Sequence, residues 1–170
     1  MKRIYLWAMV LLAGLAGSHA MAQNNSLSGT WKLDLAKSFM GSDHPSSDYQ
    51  LTKKIELKNG LLSITDSSVH ATMAGIQLPD TVITMELAPD GKEHDIKLPS
   101  VFPGIPEMTG KASAVWQGCT LEVHQVIAAF GSSTKQRMFL AEDRTQLIVL
   151  VEGHSTFLDT EQRLVFEKKE

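Results

Sequence analysis

The sequence predicts an all-β protein, an up-and-down meander β-barrel of about eight to ten antiparallel strands. Three observations predict it. Short runs of alternating apolar and polar residues recur along most of the chain, and a period of two marks a half-buried strand. Turn chemistry separates these runs at short intervals, which favours hairpins over the long return connections of a Greek key. No stretch carries a convincing helical apolar period. An open meander would expose two strand edges, and closure into a barrel removes them. A barrel of this size encloses room for side chains or one small ligand.

The first segment is not part of the meander. Lys2 and Arg3 precede the apolar run from Ile4 to Leu15, and small residues lead to Ser18-His19-Ala20. Ala20-Met21-Ala22 offers a second processing point. This is the layout of a secretory leader, residues 1–20, or 1–22 with the second cut. The run is shorter than the roughly 20 apolar residues of a bilayer span. No cysteine near the cut could take a lipid anchor. The expected location is periplasmic or secreted, with residues 21–170 forming a single domain and no membrane span.

The strands follow in order. After a polar lead-in, Trp31, Leu33 and Leu35 alternate with Lys32 and Asp34. Tyr49, Leu51, Ile55 and Leu57 alternate with polar residues, and only Lys53 breaks the pattern. Asn59-Gly60 is the signal of a type I′ hairpin turn, which requires positive φ at both positions. Leu61 to Thr65 returns from it. Thr81 to Leu87 runs into Ala88-Pro89-Asp90-Gly91, a proline-led turn into a strand over Lys92 to Leu98. Lys111 to Trp116 turns at Gln117-Gly118 and returns as Thr120 to Ile127. Ser133 to Ala141, the turn Glu142-Asp143-Arg144 and Gln146 to Val151 form the next hairpin, and Glu161 to Lys168 closes the chain.

One connection is long. Residues 99–108 carry three prolines and four sizeable apolar side chains, Val101, Phe102, Ile105 and Met108. Proline stiffens such a segment by fixing φ. An apolar loop in water is costly, so it is expected to fold over an open barrel end, either as a lid on a ligand or as a plug completing the core.

Composition excludes several functions. Outside the leader, fourteen basic side chains face nineteen acidic ones, a net charge of −5 with histidines neutral and no basic stripe. Nucleic acid and anionic headgroups are therefore poor partners. Cys119 is the only cysteine, so no intrachain disulfide can form. Nothing basic flanks it to lower its pKa, and it is expected to be a small buried hydrophobe at the start of a strand. His44, His70, His94, His124 and His154 show no metal-ligand spacing. A Gly-x-Ser-x-Gly elbow is absent. Gly131-Ser132-Ser133-Thr134-Lys135 lacks the order of a phosphate loop. No catalytic residue, metal ligand or cofactor is assigned, and nothing positively indicates an enzyme.

Gly29-Thr30-Trp31 opens the first strand, and a Gly-x-Trp directly after a leader resembles the start of lipocalins and related calycin barrels. The longer stretch from Gly29 to Ser38, with Asp90 to His94, is similar to secreted bacterial lipocalin-like proteins of unsettled activity. The second lipocalin motif, a Thr-Asp pair deeper in the chain, is absent, so the resemblance is to the broader superfamily. It implies that Trp31 sits at the closed base of the barrel. It also implies that a basic residue near the end of the last strand, here Arg163, packs over the indole as a cation–π pair.

Methionines in or beside the strands suit a lumen that adapts to an apolar guest. The lumen and loop residues expected to touch a ligand are Met73, Met85, Phe102, Ile105, Trp116 and Met138. With only Trp31 and Trp116 as mature tryptophans, the expected guest is an aliphatic or mixed small molecule rather than a sugar or flat heterocycle. The leading expectation is thus a periplasmic or secreted lipocalin-like barrel that binds a small apolar molecule. The alternative is a filled barrel that acts on a protein partner, as inhibitor or accessory factor of an extracellular enzyme, through residues 23–28 and 43–48.

Overall fold

The structure is a computed structural model, and it describes residues 27–41, 47–73, 76–99, 107–156 and 158–169. Twelve strands are present among them: β1 (Gly29–Leu33), β2 (Gln50–Lys58), β3 (Leu61–Val69), β4 (Thr72–Met73), β5 (Ile76–Gln77), β6 (Thr81–Leu87), β7 (His94–Leu98), β8 (Met108–Gln117), β9 (Thr120–Ile127), β10 (Ser132–Leu140), β11 (Gln146–His154) and β12 (Asp159–Lys168). The two-residue strands β4 and β5 pair with each other. The other ten form one antiparallel sheet in the order β6-β3-β2-β1-β12-β11-β10-β9-β8-β7. That is a meander whose first and last strands pair, with Trp31 opposite Lys168 and Leu33 opposite Phe166. Apart from single-turn 3₁₀ segments, no helix is present among the described residues.

The turns explain the register. Asn59 and Gly60 take φ of 53° and 78°, the left-handed pair of a type I′ turn. That turn sets Lys58 opposite Leu61 and, five residues further, Lys53 opposite Asp66. Asp143 caps the turn between β10 and β11 by accepting from Thr145 N at 3.0 Å. At the barrel's closure the ladder extends past β1, where Phe39 and Arg163 exchange backbone hydrogen bonds of 2.8 and 2.7 Å.

Closure is incomplete at one seam. The sequence predicts that the run 81–87 and the run 92–98 form a hairpin, but β6 and β7 are the two ends of the sheet and do not pair. The turn between them is drawn sideways. Gly91 N donates to Ala114 O on β8 at 2.8 Å, and Asp90 bridges to Val115. The Asp90 carboxylate accepts from Lys92 N and meets His94 Nε2 at 3.1 Å, so the turn's own bonds hold β7 against β8 rather than β6.

Two other expectations are corrected. Cys119 is exposed, because the tight turn after Gln117, with Gly118 at φ 61°, places it on the outside of the corner. Arg163 does not cover Trp31. It lies opposite Leu150 and donates through Nη1 to Lys37 O at 3.4 Å, while the cation over the indole is Lys168, 5.7 Å from the ring centre. The register decides this, since Lys168 is the β12 residue directly opposite Trp31.

Candidate functional site

The meander gives the barrel two unlike ends. The hairpin turns at 59–60, 118–119 and 141–145 and the β6–β7 connection at 88–93 gather at one end with Leu27 and Lys168, which makes it the base. The connections after β1, β3, β7, β9 and β11 gather at the other.

Inward positions follow the strand alternation, and their burial changes along the barrel axis. Toward the base, Trp31, Ile55, Leu62, Leu87, Ala114, Leu121, Val123, Met138, Leu147, Val149 and Phe166 are buried in one cluster. Trp31 Nε1 donates to Leu27 O at 3.0 Å, which satisfies the indole inside that apolar plug. Toward the far end, the next inward residues on the same strands are only half-buried. They include Leu51 on β2, Ser68 on β3, Ile83 on β6, Gln125 and Ile127 on β9, Gln136 on β10, Val151 on β11 and Gln162 on β12. Only β1, β7 and β8 keep buried side chains there, through Leu33, Ile96, Leu98 and Ala112, the last directly opposite Gln125. Side chains that face the axis yet meet solvent line a hollow. The base is packed and the far half is open.

The hollow half is mixed in chemistry. Leu51, Ile83, Met108, Ile127 and Val151 pack against the core cluster and supply apolar wall. Ser68 Oγ and Thr81 Oγ1 share a hydrogen bond of 2.7 Å. Gln125 Nε2 donates to Met85 Sδ at 3.1 Å, a contact between strands that are not neighbours in the sheet. At the boundary of the two halves, Lys53 Nζ meets Asp66 Oδ1 and Oδ2 at 2.7 and 2.8 Å. Lys53 is 2% exposed, whereas the Asp66 side chain is 34% exposed on the hollow side. Burial, and after it the Asp66 carboxylate, push the Tyr49 phenol above its ordinary value of 10.0.

The sequence-selected residues divide among these regions. Met85 is buried on β6 and takes the Gln125 amide. Met138 is wholly buried in the packed base, so it is core rather than lumen wall. Trp116 also points inward near the base, packed against the core, with its Nε1 buried and without a hydrogen-bond partner. Met73 lies on β4 beyond the top of β3. Phe102 and Ile105 lie outside the described residues, but Leu98 opposite Met108 fixes both ends of their loop at the hollow end. The histidines lie elsewhere. His94 meets Asp90, His154 meets Asp159, and His124 is exposed on the outer wall beside Glu122, whose partner is Lys135 at 3.0 Å.

Sequence reasoning noticed Lys53 only as a break in the alternation. The Lys53–Asp66 pair was nevertheless within reach, because counting back from a two-residue turn at Asn59-Gly60 places these residues opposite each other on one face.

No protein-family model matches the chain, and no curated protein does. Solved structures do. A fatty-acid-binding protein 1 from Echinococcus granulosus is 12% identical, with a TM-score of 0.55 over 86% of this chain and 99% of that one. A zebrafish ileal bile acid-binding protein, complexed with cholic acid, is 14% identical, with a TM-score of 0.53 over 85% and 99%. A secretory abundant heat soluble protein from Ramazzottius varieornatus is 8% identical, with a TM-score of 0.55 over 85% and 96%. The likeness at these identities is one of fold, and the fold is of the calycin type.

Proposed function

We propose that the protein is an exported, lipocalin-like barrel that holds one small, largely apolar molecule in the hollow half of its interior. The observation that carries this reading is the graded inner face, dry at the base and reached by solvent beyond Lys53 and Asp66. A guest there would cover Leu51, Ile83, Met108, Ile127 and Val151, at about 25 cal/mol per Å² of apolar surface removed from water. The packed base gives the barrel its stability without filling the hollow, so binding and folding draw on different side chains. Two structural neighbours whose names state a fatty-acid or bile-acid ligand support the same use of the fold. The leader, with Lys2 and Arg3 ahead of an apolar run, supports export to the periplasm or medium.

The test is native mass spectrometry of the protein purified from a bacterial periplasm, with the same sample then run denatured. An adduct seen only in the native run is the expected result, and its mass gives the ligand class. A clean mass that persists after incubation with a lipid extract overturns the reading and favours the protein-partner alternative.

A further inference from the structure

Among the described residues, Lys53 is the only charged side chain that the interior buries. Its position is set by three neighbours in register, with Trp31 beside it on β1, Asp66 on β3, and Ile83 beyond Asp66 on β6. A buried ion pair is often no more stabilising than well-packed aliphatic side chains of the same volume. Stability alone therefore gives little reason for charge at the floor of the hollow.

We propose that Lys53 and Asp66 are the polar anchor of the lumen and that they select a neutral, hydroxyl-bearing amphiphile over a free fatty acid. The proposal rests on the lumenal reading above. An ammonium has three donors, and Asp66 engages Lys53 through two short contacts. A carboxylate offers about four acceptor sites, so Asp66 keeps capacity on its exposed side. The pair has no net charge. A hydroxyl, which both donates and accepts, can give its proton to Asp66 and take one from Lys53. A fatty-acid carboxylate only accepts. It would meet the Asp66 charge at contact distance and would have to take Lys53 from its partner. Nothing else in the hollow would compensate. The polar groups around it are neutral, namely Ser68, Thr81, Gln125, Gln136, Gln162 and Tyr49, and no second basic side chain holds an inward position there among the described residues. Long-chain alcohols, monoacylglycerols and sterols have the required chemistry.

The test uses displacement of Nile red, a neutral apolar dye, from the purified protein by oleyl alcohol and by oleate. Both are kept below the concentration at which they aggregate. Oleyl alcohol should displace the dye at about tenfold lower concentration, the size of effect expected for a hydrogen bond to a charged group. Asp66→Asn leaves the ammonium without a counter-charge and should move the preference toward oleate by about tenfold or more. The double variant Lys53→Met with Asp66→Leu should bring the two ligands to near-equal potency. Equal or tighter binding of oleate by the unaltered protein overturns the proposal, as does a preference that survives the double variant. If a variant does not fold, the ratio for the unaltered protein decides. If neither ligand displaces the dye, or the dye does not bind, the lumenal reading itself falls.

Discussion

Trp31 and Lys168 show how unequal two partners in one contact can be. The indole is buried, and its Nε1 proton has a single acceptor, Leu27 O at 3.0 Å. The ammonium above the ring is exposed, so its attraction is worth about 0.5–1 kcal/mol. Trp31→Phe leaves a buried carbonyl unpaired and a gap beside the ring. It should cost about 2–4 kcal/mol, whereas Lys168→Met should cost under about 1 kcal/mol. Urea denaturation of the two variants checks the order, and similar costs would contradict it. Tyr49 provides a second reading at this scale, because Tyr5 is the only other tyrosine. Its folded-state pKa is raised above the unfolded value, first by burial and then by Asp66. The associated stability is therefore complete below pH 10 and is lost as pH rises through the folded-state pKa. Phenolate absorbance of the chain from Gln23 onward, which holds Tyr49 alone, should show a midpoint above 10, moving back toward it in Asp66→Asn.

Among the elements, β8 carries the tightest approach to another strand's backbone. A Cβ on Gly110 would lie 2.6 Å from Val126 O, and backbone cannot move aside as a long side chain can. Gly110→Ala should therefore cost about 1–3 kcal/mol by forcing β8 and β9 apart. Gly60→Ala, in the hairpin turn, meets no neighbouring atom and should suffer only the strain of its φ of 78°. Thermal melts distinguish a steric penalty, which Gly110→Ser should share, from a merely conformational one. The hairpins were legible because their turn residues have backbone requirements that sequence displays, Asn59-Gly60 above all. The expected hairpin between β6 and β7 was not. Pro89-Asp90-Gly91 does turn the chain, but which strand receives the turn depends on Ala114 and Val115, distant in sequence.

For the whole molecule, the seam between β6 and β7 is where the ten-stranded ladder stops. Backbone amides facing it lack a strand partner, whereas β11 and β12 pair along nine consecutive positions. Hydrogen exchange should be faster in β6 and β7 than in β11 and β12 by roughly two orders of magnitude. Uniform protection around the barrel would mean that the seam is sealed. A guest that spans the hollow half should slow exchange at the seam more than at the base, where the core is already packed.

The sequence by itself determined the all-β class, the meander order and most strand positions, because alternation and turn chemistry are local properties. The resemblance carried by Gly29-Thr30-Trp31 implies a base position for Trp31, where the structure has the indole buried beside Leu27. Which cation covers that indole, where the barrel fails to close, and which inward residues line a hollow rather than a core were decided by the tertiary structure. Met138 and Gln136 show the physical reason. They share one strand face in sequence, yet one is wholly buried and the other meets solvent. Alternation fixes only the side of the wall on which a residue lies. How far along the axis the packing extends depends on what the opposite strands bring to that level.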